Sequence, residues 1–133
     1  MIDDRFKHSN TTEKIIGCAI KVHTYLGNGF QEVIYQRVLA IEMELNDLKF
    51  SREEEMQISY KNQDIGTRRV DFFVENQILV EIKAVIKMEN VHLAQAINYL
   101  EAFDKEIGLL INFGATSLEF KRVTNKKLCP INQ

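Results

Sequence analysis

Two neighbouring runs, Arg68 to Val74 and Ile78 to Lys83, carry apolar residues on both sides of an extended chain. Val70, Phe72 and Val74 oppose Phe73 in the first, and Ile78, Val80 and Ile82 oppose Leu79 in the second. Successive side chains of a strand point to opposite faces. A sheet holding both runs must therefore be covered on both sides. Glu75-Asn76 between them is a tight turn. Upstream, Met56 to Tyr60 alternates, and Lys61 to Gly66 supplies turn chemistry, so the three extended runs read as an antiparallel meander.

Helices supply the cover. Thr11 or Thr12 is the expected cap of a first helix with Ile15, Ile16, Ala19, Val22 and Leu26 on one stripe, ended by Gly27-Asn28-Gly29. A second helix is expected from about Gln31 to Leu48, its buried stripe being Ile34, Val38, Ile41, Leu45 and Leu48. After the meander, Asn90 is the expected cap of a third helix reaching about Phe103, with Leu93, Ala96, Ile97 and Leu100 inward. Ile107 to Phe113 lacks alternation, as a fully buried strand does. Strand, crossover helix and buried strand imply a parallel, right-handed connection. A final short strand, Leu118 to Val123, should turn Leu118 and Phe120 inward. The expected class is α/β, with one domain over 11–125 between tails at 1–10 and 126–133. A length of 133 residues, 45% of them hydrophobic, suits a single core.

Seventeen Lys and Arg against 19 Asp and Glu give a formal charge of -2, so no global positive field draws the chain onto nucleic acid. Any such binding needs a local basic surface. Cys18 and Cys129 lack metal-ligand spacing and are expected as reduced thiols. No apolar run approaches the roughly 20 residues of a spanning helix, and a soluble, cytoplasmic protein is expected.

Asp71, Glu81 and Lys83 are the candidate site. A short turn brings Asp71 and Glu81 near one another on adjacent strands, and Glu81 and Lys83, two apart, share a face. All three charges fall in half-buried positions, where an unpaired charge is expensive. Two carboxylates beside an ammonium make a hard-oxygen site for Mg²⁺ or Mn²⁺, with the lysine free for a phosphate oxygen or an attacking water. A structural ion pair joining Lys83 to either acid is the competing reading.

Asp71, nine intervening residues, then Glu81-Ile82-Lys83 resembles the signature of the PD-(D/E)XK nucleases. Gly29-Phe30-Gln31-Glu32-Val33-Ile34-Tyr35 resembles the pattern that names the GxxExxY proteins, a branch of that superfamily. Gln95-Ala96-Ile97-Asn98-Tyr99 is similar to the Gln-x-x-x-Tyr motif of its exonuclease-like members. Val70 stands where the superfamily's name has proline, at a position that tolerates variation. The resemblance implies a restriction-endonuclease-like core. It implies that Asp71, Glu81, Glu32 and the main-chain carbonyl of Ile82 hold Mg²⁺ or Mn²⁺, that Lys83 positions or activates water, and that Gln95 and Tyr99 orient the site or contact substrate.

On residues alone, Glu32 lies nearly opposite the main apolar stripe of its helix, but Glu32, Tyr35 and Leu39 form a second stripe, so that helix should be covered on two sides. His92 shares a face with Gln95 and Tyr99 and reads equally as a helix-flank residue. His23, inside an apolar stripe, reads as a packed core histidine. Arg68, Arg69 and Lys87 are candidate phosphate contacts, and Gly29 and Gly114 are turn residues. The expected activity is metal-dependent hydrolysis of DNA, with RNA the second choice. The alternative is a non-catalytic module that binds nucleic acid or protein with the same fold. Dimerisation to engage a duplex is a further expectation.

Overall fold

The computed structural model describes residues 8–128; the terminal segments 1–7 and 129–133, Cys129 among them, lie outside the described residues. Eight elements run in the order α1 (Ser9–Leu26), α2 (Glu32–Leu45), β1 (Phe50–Tyr60), β2 (Gln63–Val74), β3 (Ile78–Lys83), α3 (Asn90–Ala102), β4 (Ile107–Asn112) and β5 (Glu119–Thr124). The strands form one sheet in sequence order, antiparallel except for the parallel β3–β4 pair bridged by α3. Among the described residues no helix is long and apolar enough to cross a membrane.

Covering on both faces is realised by two separate cores. Phe72, Val74, Ile78, Val80 and Ile82 pack under α1 and α2 with Ile15, Val22, Tyr35 and Leu39. Phe73 and Leu79 face the other way, toward Ala96, Leu100 and Phe103 of α3 and its end, and Val70, expected on the face of Phe72 and Val74, packs with them instead. The apolar run of β4 divides the same way, Ile107, Leu109 and Ile111 in the first core and Leu110 in the second.

Several details depart from the sequence-based expectation. α1 begins at Ser9, so the first helical turn takes in two positions expected in a tail; Thr12 lies within the helix and donates to the Ser9 carbonyl (3.0 Å). α3 is capped by Glu89, whose side chain and that of His92 close a reciprocal capping box, and Asn90 is its first helical residue. β1 starts at Phe50, well before Met56, and the hairpin to β2 turns on Lys61 and Asn62 alone, both with positive φ. The early part of β1 has no readable alternation because Arg52 to Glu55 belong to an exposed ribbon with no core to face.

The largest departure is in α2. Its buried residues are Tyr35, Gln36, Leu39, Ala40 and Met43, while Ile41 and Leu45 are exposed and Ile34 and Val38 only half-buried. The helix has rotated its more polar stripe inward, toward Asp71. Ile97 of α3 and Phe120 of β5 are likewise exposed, and Val123 is the buried residue of β5.

Candidate metal and active site

The site begins where the β2–β3 ladder stops. Backbone pairing between these strands ends at Phe72 and Val80. Beyond that pair, the Asp71 N–H donates to Glu81 Oε2 (3.0 Å) and the Ile82 N–H donates to Asp71 Oδ2 (2.8 Å). Each carboxylate thus takes a place that a peptide carbonyl of the opposite strand would occupy, and both side chains are pinned between the strands by the backbone itself.

Other elements complete the arrangement. Gln36 of α2 donates from Nε2 to Asp71 Oδ1 (2.8 Å). Arg68, upstream of Asp71 on β2, donates from Nη2 to Glu81 Oε1 (3.1 Å) and from Nε to the Tyr99 hydroxyl oxygen (2.6 Å), with its guanidinium 4.9 Å from the Tyr99 ring centre. Lys83 Nζ donates to Gln95 Oε1 (3.1 Å). Gln95 and Tyr99, one helical turn apart, therefore each hold a different cation of the site. Lys83 makes no ion pair with Asp71 or Glu81; Glu81 is paired instead with Arg68.

Glu81 is 2% exposed, and burial followed by the charge of Asp71 pushes its carboxyl up to about 7. Glu32 stands at the rim, exposed by surface area; partial desolvation there, then Asp71, raises its carboxyl too. Asp71 is thus the hub of a three-carboxylate field. Among the described residues no group of three or more His, Cys, Asp or Glu side chains is arranged tightly enough to hold a metal, so Glu32 is an outer member of the set. The donor chemistry nevertheless suits a hard divalent cation. Two ionisable carboxylates converge on one spot, each oxygen has a single protein partner, and their mutual repulsion is what a cation would relieve.

This arrangement makes stability depend on pH. The ordinary value for Glu81 is 4.5 and the folded value about 7, so between these the folded protein holds a proton that the unfolded chain releases. Stability of metal-free protein should fall as pH rises through that window and level off above it. Thermal melts in chelator are expected to show a higher Tm near pH 5.5 than near pH 7.5. Glu81→Gln should flatten the slope; an unchanged slope in that variant would remove Glu81 as its source.

Of the candidates expected from the sequence, Asp71, Glu81, Lys83, Gln95 and Tyr99 come together, with Glu32 at the edge. His92 serves the α3 cap: its Nδ1 accepts the Glu89 N–H (2.9 Å). His23 donates from Nε2 to the Ala115 carbonyl (3.0 Å) and lies beside Phe113. Of the three basic candidates, Arg68 is in the site, Arg69 pairs with exposed Glu55 across the hairpin, and Lys87 lies on the exposed segment before α3. Tyr35 is structural: its hydroxyl donates to the Gly27 carbonyl (2.6 Å) and accepts the Phe30 N–H (3.1 Å), and its ring stacks on Phe113 at 4.7 Å. The turn before α2 is locked in this way, fixing where Glu32 starts the helix.

Two positioning residues do not stand out in the sequence. Gln36 has as its only sign its place one turn after Glu32. Asn112 has a clearer one, a polar side chain inside the apolar run of β4. It is wholly buried beside Lys83 in the β3–β4 register. Its Oδ1 accepts the Val85 and Gly114 N–H groups (2.9 and 3.0 Å), and its Nδ2 donates to the Val85 carbonyl and Glu119 Oε1 (2.9 and 2.8 Å). The chain leaving Lys83 is thereby clamped. Gly114 is part of the same clamp, required by close approach: a Cβ there would sit 2.5 Å from the Val85 backbone N and O.

A family model described as the PD-(D/E)XK nuclease superfamily matches residues 9–123. The fold is also similar to that in the crystal structure of SSO0001, with a TM-score of 0.55 at 18% identity over 96% of this chain. This chain spans 65% of the length of that neighbour. No curated protein matches this chain.

Proposed function

Since the chain belongs to the PD-(D/E)XK nuclease superfamily, with the restriction-endonuclease-like α/β fold, we propose that it is a divalent-metal-dependent nuclease of the GxxExxY branch, hydrolysing phosphodiester bonds of DNA in the cytoplasm. RNA is the second choice of substrate. The observation that carries this reading is the pinning of Asp71 and Glu81 between the ends of β2 and β3, with Lys83 held alongside by Gln95 rather than neutralised by either acid.

In this reading Asp71 and Glu81, with the Ile82 carbonyl and Glu32 at the rim, hold Mg²⁺ or Mn²⁺. What the ion supplies when bound is charge neutralisation at the phosphate and an acidified water. Lys83 keeps its ammonium free of carboxylates, so it can orient the nucleophile or bind a phosphate oxygen. Gln95 fixes the direction of that ammonium, since an amide oxygen accepts from it without cancelling its charge. Arg68, stacked on Tyr99, balances Glu81 and offers its remaining surface to the phosphate backbone. Gln36 holds Asp71 from the opposite helical layer. The net charge of -2 leaves substrate attraction to such local cations.

Calorimetric titration with Mn²⁺ tests the metal directly. Saturable binding is expected in the wild type, with a loss of at least about tenfold in affinity for Asp71→Ala. No binding in a folded wild type would turn the reading to a non-catalytic module that uses the same fold to hold nucleic acid or protein.

A further inference from the structure

The face of α2 turned away from Asp71 is apolar and open. Ile34, Val38, Ile41 and Leu45 succeed one another at intervals of four, three and four, a heptad seam. The first two are half-buried, Ile41 is 58% exposed and Leu45 72%. Single exposed aliphatics are ordinary, but four aligned along one helix form a continuous strip.

The two flanks of the strip differ. On one, Tyr35 is buried and Glu42 is paired with Lys21 of α1 (4.0 Å), so α1 closes that side. On the other, Arg37 and Glu44 are exposed, two turns apart, and neither forms an ion pair with any described residue. When two helices pack antiparallel through such seams about a two-fold axis, positions on the same flank meet across the axis. Arg37 of one copy then falls opposite Glu44 of the other, and Glu44 opposite Arg37. The strip is complementary to itself in charge as well as in shape.

We propose that α2 pairs antiparallel with α2 of a second copy of this chain, burying Ile34, Val38, Ile41 and Leu45 and matching Arg37 with the second copy's Glu44. The 14-residue helix is about 21 Å long, and one helix face covers less than the roughly 800 Å² per partner of a standard interface. The dimer is accordingly weak, with a Kd on the order of micromolar. The same helix offers Glu32 and Gln36 to the site on its opposite side, so the paired helices would carry two sites facing outward from one rigid spine.

Sedimentation velocity between about 1 and 200 μM, without metal or nucleic acid, tests the pairing separately from the proposed cleavage. The wild type should shift from monomer to dimer, and Ile41→Glu should stay monomeric. Arg37→Glu and Glu44→Arg should each weaken the dimer at least about tenfold, because each places like charges opposite one another twice. Mixing these two variants should restore it, since every cross pair is then of opposite sign; so should the double variant. A wild type monomeric throughout, charge variants that dimerise as well as wild type, or a mixture that fails to recover would each overturn the proposal. The charge variants carry the test by themselves should Ile41→Glu fold poorly.

Discussion

Lys83→Ala is expected to lower Mg²⁺- or Mn²⁺-supported cleavage of DNA by about a thousandfold, with the protein still folded and still binding Mn²⁺. The size follows from the role: a positioned ammonium that orients the nucleophile or bears transition-state charge contributes roughly 10²–10⁴ in rate. Folding is spared because Lys83 is half-buried, makes no ion pair with the site carboxylates and has Gln95 as its side-chain partner. Truncating it leaves Glu81 with Arg68 and Asp71 with Gln36. Gln95→Ala should cost less, about tenfold to a hundredfold, because it removes only the orientation of that ammonium. Single-turnover cleavage on plasmid and short duplex substrates measures both. Wild-type rates in Lys83→Ala would mean that cleavage does not run through this site.

Gly114→Ala should lower stability by about 4 kcal/mol, more than most single methyl additions. Overpacking usually costs about 1–3 kcal/mol, because flexible side chains yield. Here the added Cβ meets backbone: the N and O of Val85 at 2.5 Å and the carbonyl carbon of Ala84 at 2.6 Å. Moving them breaks both Val85 bonds to Asn112, stranding a buried amide. For a domain of this size the loss corresponds to a fall in Tm of roughly 10–20 °C, read by calorimetry or circular dichroism. The displaced segment is the one that leaves Lys83, so residual activity should fall beyond what unfolding explains. A Tm within about 2 °C of wild type would show that the clamp is slack.

What is legible in the sequence divides along physical lines. Glu81 and Lys83 can be found because strand alternation fixes their relative positions with few alternatives. Asp71 can be found because a short hairpin brings it near them and a charge in an apolar strand stands out, although alternation itself breaks at Val70, which packs on the face of Phe73. The two-sided sheet is legible for the same reason. Periodicity misplaces the inward face of α2 because both of its stripes have helical spacing. The Ile34, Val38, Ile41, Leu45 stripe is the more apolar, so burial alone favours it. What turns the other stripe inward is Gln36 bonding to Asp71 and Tyr35 locking the turn at Gly27, long-range contacts that no periodicity reveals. Gln36 is invisible for that reason. Asn112 is detectable as a polar residue in a buried strand, though its four hydrogen bonds to Val85, Gly114 and Glu119 are not. The charged half of β1 has no core against which to register a pattern, and Gly114 gives no sign that backbone passes so close.

The strictly sequential order of the strands has a kinetic consequence. Each strand pairs with its neighbour in the chain, and the one long closure is the crossover through α3 between β3 and β4. Chains dominated by such near-neighbour pairings reach the native state sooner than chains that must first close distant loops. Asp71, Glu81, Lys83, Gln95 and Tyr99 all fall between the start of that hairpin and the end of that crossover, whereas Gln36 and Glu32 arrive from upstream. The candidate site is thus drawn mainly from one short stretch of polypeptide, with only Gln36 and Glu32 contributed from α2, so most of its internal contacts close short loops.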